Sequence, residues 1–134
     1  MTKQYSAPYV NFGGRAREAL EFYQNVLGGE LRLYAWGKSE QAGPEDRISY
    51  GRLDLDGTPL LVASDGHPSY PPTVGDNMAV TLGGADKAKM AGIFERLAEG
   101  GQVKGPLSAQ PWGSEFGYLL DRFGVNWVVS VDPS

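Results

Sequence analysis

His67 is the one histidine in this chain, and it stands in Asp65-Gly66-His67-Pro68-Ser69-Tyr70. An imidazole titrates near neutral pH, so with Asp65 to orient it His67 would serve as a general base. The plainer reading is an exposed loop residue, because a base needs positioning and a run of glycine and proline supplies little of it. Glu115 and Asp121 flank an apolar run 116–120, where a desolvated carboxylate would act as acid or base and a solvated one would only mark a hairpin. Asp54 and Asp56 bracket Leu55 and read as turn chemistry. No residue is assigned a catalytic role by the sequence; His67, Asp65 and Glu115 are the candidates.

A second group of residues fits binding better than catalysis. Tyr9, Trp36, Tyr50, Trp112, Phe116 and Tyr118 offer aromatic surface, with Asn11, Asn77, Thr81 and Asp65 as polar anchors. Pockets for small organic molecules are mostly apolar with a few placed polar groups. Tyr and Trp are also enriched in cores and at dimer interfaces, so core or interface is the competing reading for each of these aromatics.

Composition removes other classes. With no cysteine in 134 residues, disulfides, thiolate metal sites and a cysteine nucleophile are excluded. The net charge is -4 and the lysines and arginines are scattered, which argues against a nucleic-acid surface. No apolar run approaches the roughly 20 residues of a membrane span, and residues 1–6 are too short and polar for a secretory signal, so a cytoplasmic protein is expected, with no membrane partner. Gly13-Gly14 and Gly83-Gly84 each precede a helical pattern, but no GxGxxG or GxxxxGK follows, so phosphate binding is not expected there.

The elements that would position these residues come in two similar sets. Residues 5–12 read as a strand, 15–27 as a helix with Ala16, Ala19, Leu20, Tyr23, Val26 and Leu27 on one face, and 30–36, 48–55 and 58–64 as strands. Asp56-Gly57 marks a tight hairpin turn, and 38–46 is a polar loop. After a proline-rich linker the order recurs: strand 77–82, helix 86–99 capped by Asp86, strand 102–107, then strands 115–121 and 125–131. The glycine doublets recur at offsets of about 70 and 72 residues, which predicts about two extra residues in the second helix. The fold class is therefore α+β: one domain of two tandem βαβββ modules, about 5–65 and 77–132, joined by a linker at about 66–76. Residues 108–114, with Pro111-Trp112-Gly113, read as a mobile lid.

Several runs carry a family resemblance: Pro8-Tyr9-Val10-Asn11-Phe12, Glu18-Ala19-Leu20-Glu21-Phe22-Tyr23, Val26-Leu27-Gly28-Gly29-Glu30, Ser64-Asp65, and Asp121-Arg122-Phe123-Gly124-Val125-Asn126-Trp127. Together they resemble the PhnB-like branch of the vicinal oxygen chelate superfamily, which includes glyoxalase I, extradiol dioxygenases and the bleomycin resistance proteins. The resemblance implies a homodimer whose sheets curve around a cavity. It implies little about reaction, and nothing here resembles a phosphonate site or a glycine-rich methyl-donor loop.

In the metal enzymes of that superfamily, histidines and glutamates from the module strands hold a divalent ion. Strand alternation leaves Ala7, Tyr9 and Asn11 for the cavity on the first strand and Asn77, Ala79 and Thr81 on the fifth. The family's ligand positions then fall at Ala7, about Leu61, Asn77 and about Val128. None is a histidine or carboxylate, and one amide oxygen from Asn77 would not hold zinc or nickel, so no metal or other cofactor is expected. The reading that follows is a metal-free homodimer binding a small organic molecule through Tyr9, Asn11, Trp36, Tyr50, Asn77, Thr81, Trp112 and Tyr118. The alternatives are a metal-dependent lyase, isomerase or dioxygenase, and a structural or regulatory dimer without an open cavity.

Overall fold

The computed structural model describes residues 4–37 and 41–133. The first part of the loop read at 38–46 and the first residues of the segment 1–6 lie outside the described residues. Two compact units, Met1–Thr73 and Val74–Ser134, divide within the stretch expected as the linker.

In the N-terminal unit β1 (Tyr9–Asn11), α1 (Ala16–Leu27), β2 (Glu30–Ala35), β3 (Ile48–Leu55) and β4 (Thr58–Ser64) form a four-stranded sheet in the order β1-β4-β3-β2. The β1–β4 pair is parallel, with Tyr9 opposite Val62 and Asn11 opposite Ser64, and the others are antiparallel. Ala16, Ala19, Leu20, Tyr23 and Val26 recur at three- and four-residue spacing, and α1 buries them against Leu33, Ile48, Leu53, Leu61 and Ala63. Each such large side chain contributes about 1.5–3 kcal/mol on leaving water. α1 ends at Gly28 and Gly29, both at positive φ, and a Cβ on Gly29 would collide with the Asp54 carbonyl. Asp56 and Gly57, also at positive φ, close the β3–β4 hairpin as their types predict.

The C-terminal unit repeats the order with β5 (Val80–Gly84), α2 (Lys87–Ala98), β6 (Gln102–Ala109), β7 (Glu115–Leu120) and β8 (Asn126–Val131), in a sheet ordered β5-β8-β7-β6. Its core is Met90, Ile93, Phe94 and Leu97 of α2 against Leu119, Trp127, Val129 and Val131. A Cβ on Gly117 would stand 2.6 Å from the Phe94 ring, so this close approach requires glycine. Trp127 donates its indole N–H to Asp121 Oδ2 at 2.9 Å, and Asp121 Oδ1 accepts from the Phe123 and Val125 amides. Asp121 is thus a buried turn carboxylate rather than a free acid.

The two α+β modules confirm the expected order, with three corrections. Both helices are 12 residues long, so the second does not carry the two or so extra residues expected. The glycine doublets misled because Gly13-Gly14 lies in a turn at positive φ whereas Gly83-Gly84 lies inside β5. The first strand is only three residues, and β5 begins at Val80, leaving Asn77 and the exposed Met78 before the strand. Finally, β6 runs to Ala109, so the stretch read as a long lid is a turn over 110–114 closed by Gly113 N–H to Gln110 O and Gln110 N–H to Ser114 O.

Candidate functional site

Strand alternation gives each sheet one face against its helix and one turned away. In the N-terminal unit the face turned away from α1 carries adjacent rows of side chains. Tyr9, Val62, Arg52 and Arg32 follow one another across β1, β4, β3 and β2 by direct pairing. Beside them run Asn11, Ser64, Tyr50 and Tyr34, the latter two directly opposite each other with ring centroids 6.3 Å apart. On the other side of the arginines Glu30 lies opposite Asp54.

The middle of this face holds an ion pair. Arg52 donates Nε to Asp54 Oδ1 at 2.6 Å and Nη2 to Oδ2 at 2.9 Å, a two-bond fork, with the Asp54 side chain only 8% exposed. The hydrogen bonds from Arg52 hold the Asp54 carboxyl below its ordinary range, against the desolvation that pushes it up. The Tyr5 ring lies over the guanidinium, 5.2 Å from ring centroid to Cζ. The Tyr9 hydroxyl is hydrogen-bonded to Ser64 Oγ, which also accepts from the Gly66 amide. Asp54 was read from sequence as turn chemistry; it lies inside β3 and anchors this face. The Arg-Leu-Asp spacing, which places both charged residues on one side of a strand, was the available signal.

The candidate acids and bases fall elsewhere. Asp65 is buried, and its carboxylate is engaged by three backbone amides: Oδ1 accepts from Gly14 at 3.0 Å and Ala16 at 2.7 Å, and Oδ2 from Ile48 at 2.8 Å. It therefore caps the start of α1 and pins β3 rather than orienting a base. His67 is exposed, accepts at Nδ1 from the Ser69 amide at 3.1 Å, and packs its ring by Tyr70. Glu115 shares a side of β7 with Gly117 and Leu119, the side packed on α2, and pairs with Lys87 of that helix at 3.2 Å. It begins β7, at the end of the apolar run that it was expected to flank.

The remaining binding candidates divide between the units. Tyr9, Asn11 and Tyr50 share the N-terminal face, with exposed Trp36 just beyond the end of β2. Asn11 is partly committed, since its Oδ1 accepts from the Gly13 amide at 2.9 Å. Thr81, Val128 and Tyr118 form one row on the corresponding face of the C-terminal unit. Trp112, 65% exposed, sits in the β6–β7 turn with its ring by Phe116. Asn77 is exposed and outside any strand.

The superfamily's metal does not fit this donor set. Leu61 is fully buried on the α1 side of β4, Val128 and Ala7 offer no side-chain donor, and Asn77 has left the strand. Among the described residues, no three His, Cys, Asp or Glu side chains gather as a metal would need.

Residues 4–130 match the family model described as 3-demethylubiquinone-9 3-methyltransferase. The chain belongs to this family. The family is PhnB-like: the chain superposes on the PhnB protein of Bacillus cereus with TM-score 0.68 at 22% identity, covering 97% of this chain and 99% of that one. It is 36% identical to PA1353 from Pseudomonas aeruginosa, with TM-score 0.86, over 98% of this chain and all of that one. It is 25% identical to Protein YjdN of Escherichia coli over 93% of each. At the level of fold alone it matches a glyoxalase/bleomycin resistance protein from Albidiferax ferrireducens, with TM-score 0.65, 13% identity and coverage of 98% and 100%. In fold, these likenesses share the architecture of two tandem βαβββ modules. No helix among the described residues is long and apolar enough to cross a membrane.

Proposed function

We propose that the protein binds a small, planar organic molecule on the aromatic face of its N-terminal unit and does so without a metal. The observation that carries this reading is the set of tyrosines on one face, Tyr9 in the row of Arg52 and Arg32, Tyr34 and Tyr50 in the next, around a guanidinium that Asp54 holds in place. Rings and a fixed guanidinium plane stack on flat ligands, and such surfaces need no reaction chemistry to retain them. Thr81, Val128 and Tyr118 offer an uncharged surface of similar kind in the C-terminal unit. The same reading takes the protein as cytoplasmic and homodimeric; the exposed Met78, Val74 and Tyr70 support the dimer, which is checked by light scattering on the purified protein.

The test is a titration of uncharged planar aromatics followed by tryptophan fluorescence, alongside metal analysis by mass spectrometry after incubation with zinc, nickel, manganese and iron(II). Trp36 and Trp112 are exposed and Trp127 is buried, so quenching reports on surface binding. Saturable quenching without stoichiometric metal supports the proposal. Tight stoichiometric metal, or no saturable ligand across the screen, overturns it.

A further inference from the structure

Resting on the binding reading above, we infer that the ligand of the N-terminal face is a planar aromatic carboxylate, its ring against Tyr34 and Tyr50 and its carboxylate on Arg32. Arg32 and Arg52 are direct cross-strand partners. Like charges directly opposite destabilise a sheet unless something neutralises both. Arg52 is neutralised: Asp54 takes it by two short bonds, and Tyr5 covers one face of the guanidinium.

Arg32 is held differently. Its ion pair with Glu30 is long, 3.7 Å, and the two side chains are 49% and 76% exposed. A pair so open to water contributes little, and Glu30 faces a second carboxylate, Asp54, across the strands. Exchanging Glu30 for a ligand carboxylate therefore costs little and gives Arg32 the two-bond geometry its planar fork favours.

The tyrosine row supplies the other half of the ligand. Tyr34 follows Arg32 by two residues on β2, so on one side of the sheet the ring row lies about 7 Å along the strand from the arginine row. That span suits an anion joined directly to a flat ring system. A bare anion would forgo the rings, and a neutral ring would leave Arg32 with its weak partner.

The experiment compares 2-naphthoate with the neutral 2-naphthamide by calorimetry on the full chain, at low and high salt. The inference expects naphthoate to bind about tenfold tighter or better, with the advantage shrinking as salt rises. In Arg32→Gln the preference should fall below about threefold while naphthamide binding is kept, and Arg32→Lys should restore part of it. Because Arg32 is exposed, circular dichroism should show both variants folded. Equal binding of the two ligands to the unaltered protein, or a preference that survives Arg32→Gln, overturns the carboxylate assignment and leaves the binding proposal standing. Failure of both ligands, and of every other planar aromatic, overturns the two together.

Discussion

The two units repeat one topology and differ in what they place on the same positions. Where the N-terminal face runs Tyr9, Val62, Arg52 and Arg32, the C-terminal face runs Thr81, Val128, Tyr118 and Gly105. In the next row Ser64 has a counterpart in Ser130, but Tyr50 is replaced by Phe116. The helix starts differ as well. α1 is capped by Asp65, which returns from the end of β4, whereas α2 is capped by its own Asp86, accepting from the Lys89 amide at 3.1 Å. Element order is set by periodicity and turn residues, which both copies share. Charge is set by single positions that periodicity does not constrain, so duplication preserved the frame and let the faces diverge.

The largest expected effect breaks the capping half of this comparison. Asp65→Ala leaves three amides, two at the start of α1 and one on β3, without their acceptor in a buried setting. At about 1–3 kcal/mol for each buried donor left unsatisfied, with some rescued by water, the loss should be about 3–5 kcal/mol in urea unfolding. A loss near 1 kcal/mol would show that the remote cap is no stronger than an ordinary local one.

Next comes the ion pair that only the N-terminal face possesses. Arg52→Met leaves Asp54 without its partner and should lower stability measurably in urea unfolding, while Arg52→Met combined with Asp54→Leu should recover most of the loss. The pair also predicts a pH dependence. The folded Asp54 carboxyl is held below its ordinary 3.8, so its contribution is present above that value and is lost as pH falls through the lower folded value. Unfolding curves at pH 7 and pH 3 should therefore lie further apart for the parent protein than for Asp54→Asn. A parent slope no steeper than that of the variant would count against the pair as an acid-sensitive element.

These charged positions also mark where the sequence stopped being legible. Ile48 to Leu55 and Thr58 to Ser64 were readable to the residue because alternation and Asp56-Gly57 fix both ends. β5 was not, since Asn77 and Met78 continue an alternating pattern into a stretch that pairs with nothing. Leu61 was placed on the wrong side of β4 by a one-residue slip, which reverses every side chain of a strand. The role of Asp65 was hidden for a different reason: its partners Gly14, Ala16 and Ile48 lie 17 to 51 residues away, and no local pattern announces a contact of that range. The binding candidates Tyr9, Asn11 and Tyr50 can be placed on one face by alternation, but Asp54 next to Asp56-Gly57 reads as part of the turn, which hides its pairing with Arg52.

Smaller effects sharpen the contrast between local and remote caps. Asp86→Ala should cost about 1 kcal/mol, and Asp86→Gly only a few tenths, since the cap serves one exposed amide. The smallest change is expected from giving α1 a local cap of its own. Arg15 occupies the N-cap position of α1 and its side chain caps nothing, so by sequence rules Arg15→Ser should stabilise the helix. A serine there would accept from the Arg17 or Glu18 amide, whereas Asp65 holds the amides of Gly14 and Ala16, so the local and the remote cap serve different donors. The substitution also removes the exposed Arg15–Glu18 pair, a contribution of a few tenths of a kcal/mol. Arg15→Ser should thus stay within about 0.5 kcal/mol of the parent in urea unfolding. In an Asp65→Ala background the same serine should have the same effect to within about 0.5 kcal/mol, because it does not reach the donors that Asp65 leaves. A gain of about 1 kcal/mol confined to that background would instead mean that the serine takes over an amide Asp65 had held.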